Sequence, residues 1–544
     1  MKSTMMSMPL NLNDIVERAG TQFSQVEVVS RLPDRSLARS SYGEVYRRSE
    51  ALAQALLNAG LQAGDRVATL CWNHSQHLEA YFGIPRAGGV LHTLNLRLPP
   101  NDIAWIVNHA QDRFLIIDDV LLPLYQAFAS SVNFERIFVV RLTDSELPEG
   151  MDDYERFLDE QHEDLEFPVL AEDAPCGLCY TSGTTGRPKG VVYSHRSSCL
   201  HAMVSALPDS IGLSCNDVAL PVVPMFHANA WGMPYSAALT GAKLVLPGPH
   251  LDGESILGLF ASEQVTVTAG VPTIWMRIAE LLEERGGDWD MPSIRMLVGG
   301  SAVPEAMIKS FQKFGHTIIQ GWGMTETSPL AAISQLRPWH RLAGEDEQLR
   351  QRAKAGALAP FVQARIVSED GNAQPWDGNA TGEIQLRGPW ITGDYVTADD
   401  ASDKFTEDGY LCTGDVASID KDGFISISDR TKDLIKAGGE WISSVQLENE
   451  IMGHEAVLEA AVISKAHDRW GERPLAIVVT RSDESVDVEQ LSEFLSRRIE
   501  KWMLPEAYVF VEEIRKTSTG KFDKKALRAE YEHTEWAVFD ACTA

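Results

Sequence analysis

The spacing of apolar positions switches repeatedly along the first 430 residues, and each switch predicts a change of element. Ser41-Tyr-Gly-Glu44 has the spacing of a capping box. Val45, Leu52, Leu56 and Leu57 form the apolar stripe of the helix it opens, and Gly60 suits that helix's end. Arg66 to Trp72 then predicts a strand, His77 to Ile84 a helix and Val90 to Leu94 a strand. Asn101 or Asp102 is expected to cap a further helix, and Arg113 to Asp118 reads as a buried strand. Lys243 to Leu246, Val265 to Thr268 and Ile294 to Val298 are short apolar runs of the same kind. Such alternation predicts an α/β chain with mainly parallel sheets. Residues 340–355 are charged and poor in apolar side chains, which predicts an exposed helix or loop.

After about residue 430 the texture changes. Ala461 to Ser464, Leu475 to Thr480 and Tyr508 to Val511 predict short strands, and Asp487 to Arg498 an amphipathic helix. A compact α+β domain of roughly a hundred residues is expected there.

Length supports the division, since 544 residues exceed what one compact core holds. The net charge is −29, from 48 basic and 77 acidic residues. This argues against nucleic acid as a partner and against docking on anionic lipid by charge alone. No run reaches the length of a membrane span, and Met1 to Asp14 lacks an apolar core of signal-peptide length. Cys176-Gly-Leu-Cys179 has no second C-x-x-C to complete a zinc site and reads as a buried strand with free thiols. The scattered cysteines fit a reducing cytoplasm.

Candidate chemistry centres on Tyr180-Thr-Ser-Gly-Thr-Thr-Gly-Arg-Pro-Lys-Gly190. Thr181, Ser182, Thr184 and Thr185 supply hydroxyls. Gly183 and Gly186 let backbone N–H groups crowd a polyphosphate, and Lys189 adds a positive charge. Glycine follows the lysine, so this is not the common P-loop. Downstream, in Gly321-Trp-Gly-Met-Thr-Glu-Thr327, Gln320, Gly321 and Trp322 would offer backbone polar groups and a flat ring to a purine, with Gly323 and Thr325 as further nucleotide-binding candidates. Glu326 is a hard oxygen donor suited to Mg2+ on phosphates. Gly299-Gly-Ser-Ala-Val-Pro304 ends a predicted strand, where open α/β sheets bind ligands.

Together these motifs resemble the acyl-adenylate-forming superfamily, which includes acyl-CoA synthetases, luciferases and the adenylation domains of peptide synthetases. The resemblance runs from the early strands to Lys521. It implies a large N-terminal domain over 1–430 with stacked, mostly parallel sheets and a β-barrel-like subdomain, a hinge at 431–433, and a small mobile α+β lid over 434–544. It assigns Gly299, Gly300, Ser301 and Ala302 to the adenine and acyl-adenylate pocket, and Asp415 of Tyr410-Leu-Cys-Thr-Gly-Asp415 to ribose. Arg430 falls to ribose or phosphate, and Lys432 becomes the hinge. Lys521 of Lys516-Thr-Ser-Thr-Gly-Lys521 becomes the adenylation lysine, and Thr181 and Glu326 the metal ligands. Lys436, Gly438, Gly439 and Trp441 fall on the nucleotide or CoA side. Similar motifs commonly carry tyrosine where Trp322 stands, so the stacking face is kept and a hydroxyl lost.

Pro221-Val-Val-Pro-Met-Phe-His-Ala-Asn-Ala-Trp231 is the specificity region by the same resemblance. Adenylation domains for amino acids carry an aspartate near the Phe226 position to pair the substrate amine. Here His227-Ala228-Asn229 follows, and a buried ammonium without a partner is costly. Only 23 residues follow Lys521, so no carrier module is expected. His227 and Trp231 look like positions in bacterial fatty acyl-CoA synthetases, where the tryptophan gates an apolar acyl tunnel, and Val271 and its neighbours suit an alkyl or aryl chain. The expectation is an AMP-forming acyl-CoA synthetase acting on a medium- or long-chain fatty acid with ATP, Mg2+ and coenzyme A, cytoplasmic and homodimeric. A short thioether acid such as methylmercaptopropionate, an aryl or branched acid, or an acyl-AMP ligase that does not use CoA are the alternatives.

Overall fold

The computed structural model describes residues 3–159, 165–181, 187–397, 404–438, 440–481, 486–518 and 520–532. Three sheets organise them. The first runs Asp152–Asp153, Arg136–Val140, Phe114–Asp118, Arg66–Leu70, Val90–Thr93, Pro175–Tyr180, Gly190–Ser194, and only its last pair is antiparallel. Phe114–Asp118 is buried at every position, as expected of a central strand covered on both faces. The Cys176 and Cys179 thiols are free and buried on Pro175–Tyr180. Among the described residues Cys71, His74 and Asp118 could share a metal, but His74 Nε2 already meets Asp118 Oδ1 at 2.7 Å and Asp118 Oδ2 accepts the Trp72 N–H at 2.8 Å.

The second sheet starts from an antiparallel edge pair, Leu37–Ser41 on Glu27–Arg31, runs parallel through Lys243–Leu246, Val218–Pro221, Val267–Gly270, Arg295–Val298 and Thr317–Gly323, and continues antiparallel through Leu330–Ile333 to Gln363–Val367. This antiparallel extension occupies the place of the expected barrel-like part. A third sheet pairs Val457–His467 with Gly471–Thr480 in the C-terminal region. Ile435, Leu447, Val462, Ala476 and Leu491 form a core of that region.

Local chemistry accounts for several helix boundaries. The Ser41 side chain accepts the Glu44 N–H at the start of Tyr42–Asn58. The return bond of a capping box is replaced by one from the Ser40 hydroxyl to Glu44. Gly60 follows with φ +88°. Asp487 and Gln490 form a full capping box on Val488–Ser496. Neither Asn101 nor Asp102 caps its helix. That helix opens at Pro100, whose fixed φ and missing N–H suit a first helical position. Residues 340–355 carry the helix Glu345–Arg352, pinned by buried Leu349. No described helix is long and apolar enough to cross a membrane.

Candidate active site

Strand ends converge on one cavity of about 310 Å³. Pro175–Tyr180 delivers Thr181. The Thr181 N–H donates to Lys189 O at 2.9 Å, and the Lys189 N–H returns to Thr181 Oγ1 at 3.0 Å, so the ends of the phosphate-loop candidate are tied. Ser182, Gly183, Thr184, Thr185 and Gly186 lie outside the described residues. Lys189 Nζ sits 5.0 Å from the centre of the Tyr395 ring, and the Tyr395 hydroxyl donates to Glu326 Oε1 at 2.8 Å. Glu326 belongs to a short turn, Thr325–Thr327, steadied by the Tyr193 hydroxyl on Thr325 O at 2.8 Å.

Opposite lies Trp322, on Thr317–Gly323. Its indole N–H donates to Asp415 Oδ2 at 2.9 Å. Asp415 pairs across the ladder with Arg430, whose Nε lies 3.5 Å from Asp415 Oδ1. The larger C-terminal cleft, about 770 Å³, joins here and is lined by Ser301, Ala302, Gln320 and Asp415. Gly300, Gly321, Trp322, Gly323, Arg430, Lys432 and Lys521 line both.

Lys521 arrives from the C-terminal region. The Thr273 hydroxyl donates to Gly520 O at 3.1 Å and Asn95 Nδ2 to the Ser518 hydroxyl at 3.0 Å, pinning its loop to the large region. The lysine stem passes over Gly300, where a Cβ would lie 3.3 Å from Lys521 Cε and 3.3 Å from Val271 Cγ1. Gly300 has φ +90°, so glycine serves both backbone and space. Burial pushes the Lys521 ammonium down to about 8. Arg430 and Lys432 push the same way, against Asp415 and Glu326.

The far wall is apolar. Trp231, Leu297, Leu330 and Ile211 line it. A Cβ at Gly299 would meet the Trp231 ring at 3.4 Å and Gly321 O at 2.8 Å, so this glycine admits the ring edge. Ala228, Asn229, Ala230 and Trp231 have φ of +42°, +54°, +49° and +56°, a left-handed turn without glycine until Gly232. His227 precedes it and is held neutral, burial pushing its pKa down to about 3 with Lys521 and Arg97 nearby.

The structure thus gathers Thr181, Lys189, His227, Trp231, Gly299, Thr325, Glu326, Asp415, Arg430 and Lys521 around two joined cavities. Val271 lies behind the Lys521 stem. Lys436, Gly438 and Trp441 line neither cavity. Lys436 Nζ stacks 4.1 Å over the Trp441 ring, and Gly438 abuts Trp470. Gly439 lies outside the described residues. Sequence reasoning missed Tyr395, a lone tyrosine in a polar loop, and Ile211 and Leu297, ordinary apolar residues until the fold brings them together.

Comparison with known proteins shows the family. The family model described as AMP-binding enzyme matches residues 16–396, and that of the AMP-binding enzyme C-terminal domain matches 446–521. The chain belongs to the AMP-binding enzyme family. A long-chain-fatty-acid–CoA ligase of Thermus thermophilus is 49% identical, over 98% of this chain and 97% of its own. A 3-methylmercaptopropionyl-CoA ligase of Ruegeria lacuscaerulensis is 41% identical, over 98% of this chain and 99% of its own. In fold, the crystal structure of the anthranilate CoA ligase AuaEII with anthranoyl-AMP matches with a TM-score of 0.86 at 23% identity, over 98% of this chain and 99% of that one.

Proposed function

We propose that this enzyme is an AMP-forming acyl-CoA synthetase that activates a medium- or long-chain fatty acid. The observation that carries the reading is Lys521, brought by the C-terminal region onto Gly300 in the cavity that also holds Glu326 and Trp322. The fatty acid lies along Trp231, Leu297 and Leu330 with its carboxylate toward Lys521. Adenine stacks on Trp322 and the ribose meets Asp415. Lys189 and the Thr181 loop hold the phosphates. Thr181 and Glu326 are oxygen donors in one cavity and fit Mg2+, which when bound screens phosphate charge.

A carboxylate oxygen attacks the α-phosphorus, an acyl O–P bond forms, and the bond to the β-phosphate oxygen breaks. Lys521 bridges carboxylate and α-phosphate, offsetting their repulsion and the charge that gathers as pyrophosphate leaves. Lys521 lining the cavity beside Glu326 supports this step. The lid, 434–544, then turns about 431–433 with Lys432 as pivot, which withdraws Lys521 and brings Gly438, Gly439 and Trp441, with Lys436, over the site. The CoA thiol gives up its proton to solvent, its sulfur bonds to the acyl carbonyl carbon, and the acyl C–O bond breaks, so that AMP leaves as the phosphate anion. In the described arrangement the Ser444 N–H and hydroxyl both donate to Asp429 across the pivot. Turning breaks those bonds. The reading includes a cytoplasmic homodimer, whose oligomeric state light scattering on the eluted protein would test.

The 41% identity to a 3-methylmercaptopropionyl-CoA ligase supports a second reading of the substrate, a short thioether acid. One assay decides between them. AMP and pyrophosphate release is measured with propionate, methylmercaptopropionate, octanoate, palmitate and cinnamate, with and without CoA. CoA-dependent release that peaks at octanoate or palmitate is the expected result. A peak at a short or aryl acid moves the substrate. Release indifferent to CoA removes the ligase assignment in favour of an acyl-AMP ligase.

A further inference from the structure

We infer that Trp322 is a positioning residue for ribose recognition, acting through its indole N–H on Asp415, in addition to offering its face to the base. The inference rests on the reading of Asp415 as the ribose ligand.

Asp415 is largely buried at the join of the two cavities. A carboxylate has about four lone-pair sites. Among the described residues, its hydrogen bond is the one from Trp322, at 2.9 Å on Oδ2. Arg430 is 3.5 Å from Oδ1, close enough to attract and too far for a good hydrogen bond. The carboxylate therefore stands between a hydrogen-bonded donor and a half-exposed cation that does not bond it closely. The carboxylate torsion of an aspartate is broad and roughly two-fold, so it needs an external donor to choose one setting. The indole supplies it. That bond leaves about three lone-pair sites, enough to accept from both of a pair of vicinal hydroxyls. Without it, Asp415 turns toward Arg430 and closes into an ion pair. Trp322 is itself aligned by strand pairing, opposite Ala332. One rigid side chain thus couples base stacking to sugar recognition, and discrimination against deoxynucleotides follows from the indole nitrogen as well as from Asp415.

Trp322→Phe keeps an aromatic face and removes the donor. Adenylation is followed by ATP–pyrophosphate exchange with ATP and with 2′,3′-dideoxyATP, which offers Asp415 no hydroxyl. Expected for Trp322→Phe is a KM for ATP raised on the order of tenfold, the scale of a hydrogen bond to a charged group, with kcat moved far less. The dideoxy KM stays within about twofold, so the preference for ATP shrinks on the order of tenfold. Turnover of the dideoxynucleotide also shows that the variant is folded. Equal losses with both nucleotides would reduce Trp322 to a stacking surface and overturn the inference, as would an unchanged preference. Asp415→Ala separates the two layers: it should abolish the preference, and if the preference survived, Asp415 would not be the ribose ligand and the inference would fall with it.

Discussion

The two walls of the cavity are held in opposite ways. On the proposed nucleotide wall, residues are tied to each other by short polar contacts: the Lys189 backbone N–H to the Thr181 hydroxyl, Tyr395 to Glu326, Trp322 to Asp415. On the acyl wall, Trp231 is carried by a turn of four left-handed residues that no glycine relieves. Each such residue costs roughly 1–2 kcal/mol, so the surrounding core must over-determine the turn. Buried Met225, Met233 and Tyr235 pack there. The first wall is specified by side-chain chemistry and the second by packing against strain. Changes on one should therefore leave the other nearly untouched.

The largest test removes Lys521. Lys521→Ala should slow adenylation by on the order of 10²–10³, the effect of deleting one stabilising group from a water-poor site. Conversion of preformed acyl-AMP to acyl-CoA should change only a few-fold, and the ranking of acids should stay as it was. Single-turnover measurements of the two half-reactions read this. A reordered acid ranking would break the separation of the walls.

The opposite test fills the acyl wall. Ile211 is buried and lines the cavity. Ile211→Phe should lower kcat/KM for palmitate by on the order of 10–100-fold, within what a few methylene contacts supply, and octanoate should suffer less. The KM for ATP should hold. If long and short acids lost activity equally, the chain would not run along Ile211.

This asymmetry explains what was legible in the sequence. The proposed nucleotide wall is written in runs of a few residues, where glycine and hydroxyl spacing suggests the chemistry directly, and Thr181, Glu326, Asp415 and Lys521, which line the cavities, stand out that way or by resemblance. The strand–helix alternation was legible because period and burial coincide, as at Phe114–Asp118. The left-handed turn was not. Ala-Asn-Ala-Trp contains no glycine to mark positive φ, so nothing local announces it. Tyr395 and Ile211 are equally silent, for their roles come from contacts with Glu326 and with an apolar wall far off in sequence. The misplaced cap at Asn101 or Asp102 is a smaller case, in which Pro100 fixed the helix start by its ring.

A titration sharpens the nucleotide wall further. Burial places the Lys521 ammonium near 8, below the ordinary lysine value, so raising the pH through 8 neutralises it in the free enzyme. The free enzyme's kcat/KM for ATP in adenylation should fall about tenfold per unit above that point. Below it the lysine is charged and the profile is flat. Lys521→Arg should lose the descending limb, because its guanidinium stays protonated. The thioester half-reaction should show no such limb. An identical limb in both half-reactions would assign it to another group.

The smallest expected effect bears on the strain itself. Ala230 and Ala237 are both fully buried, but Ala230 has φ +49° and Ala237 lies in the helix Met233–Thr240. Alanine to glycine removes one buried methyl at either site, about 0.8 kcal/mol. At Ala237 it also loses helix propensity, about 1 kcal/mol. At Ala230 glycine relieves a left-handed backbone, about 1–2 kcal/mol, which offsets the lost methyl and the added freedom of the unfolded chain. Ala230→Gly should therefore leave the unfolding midpoint nearly unchanged and Ala237→Gly should lower it, by paired thermal scans at one heating rate. Ala230→Gly should also broaden the range of acids accepted, because the turn that sets Trp231 has lost part of its restriction, and the KM for ATP should not move. Equal destabilisation at the two sites would mean the turn carries no strain, and the contrast between the walls would then rest on side-chain chemistry alone.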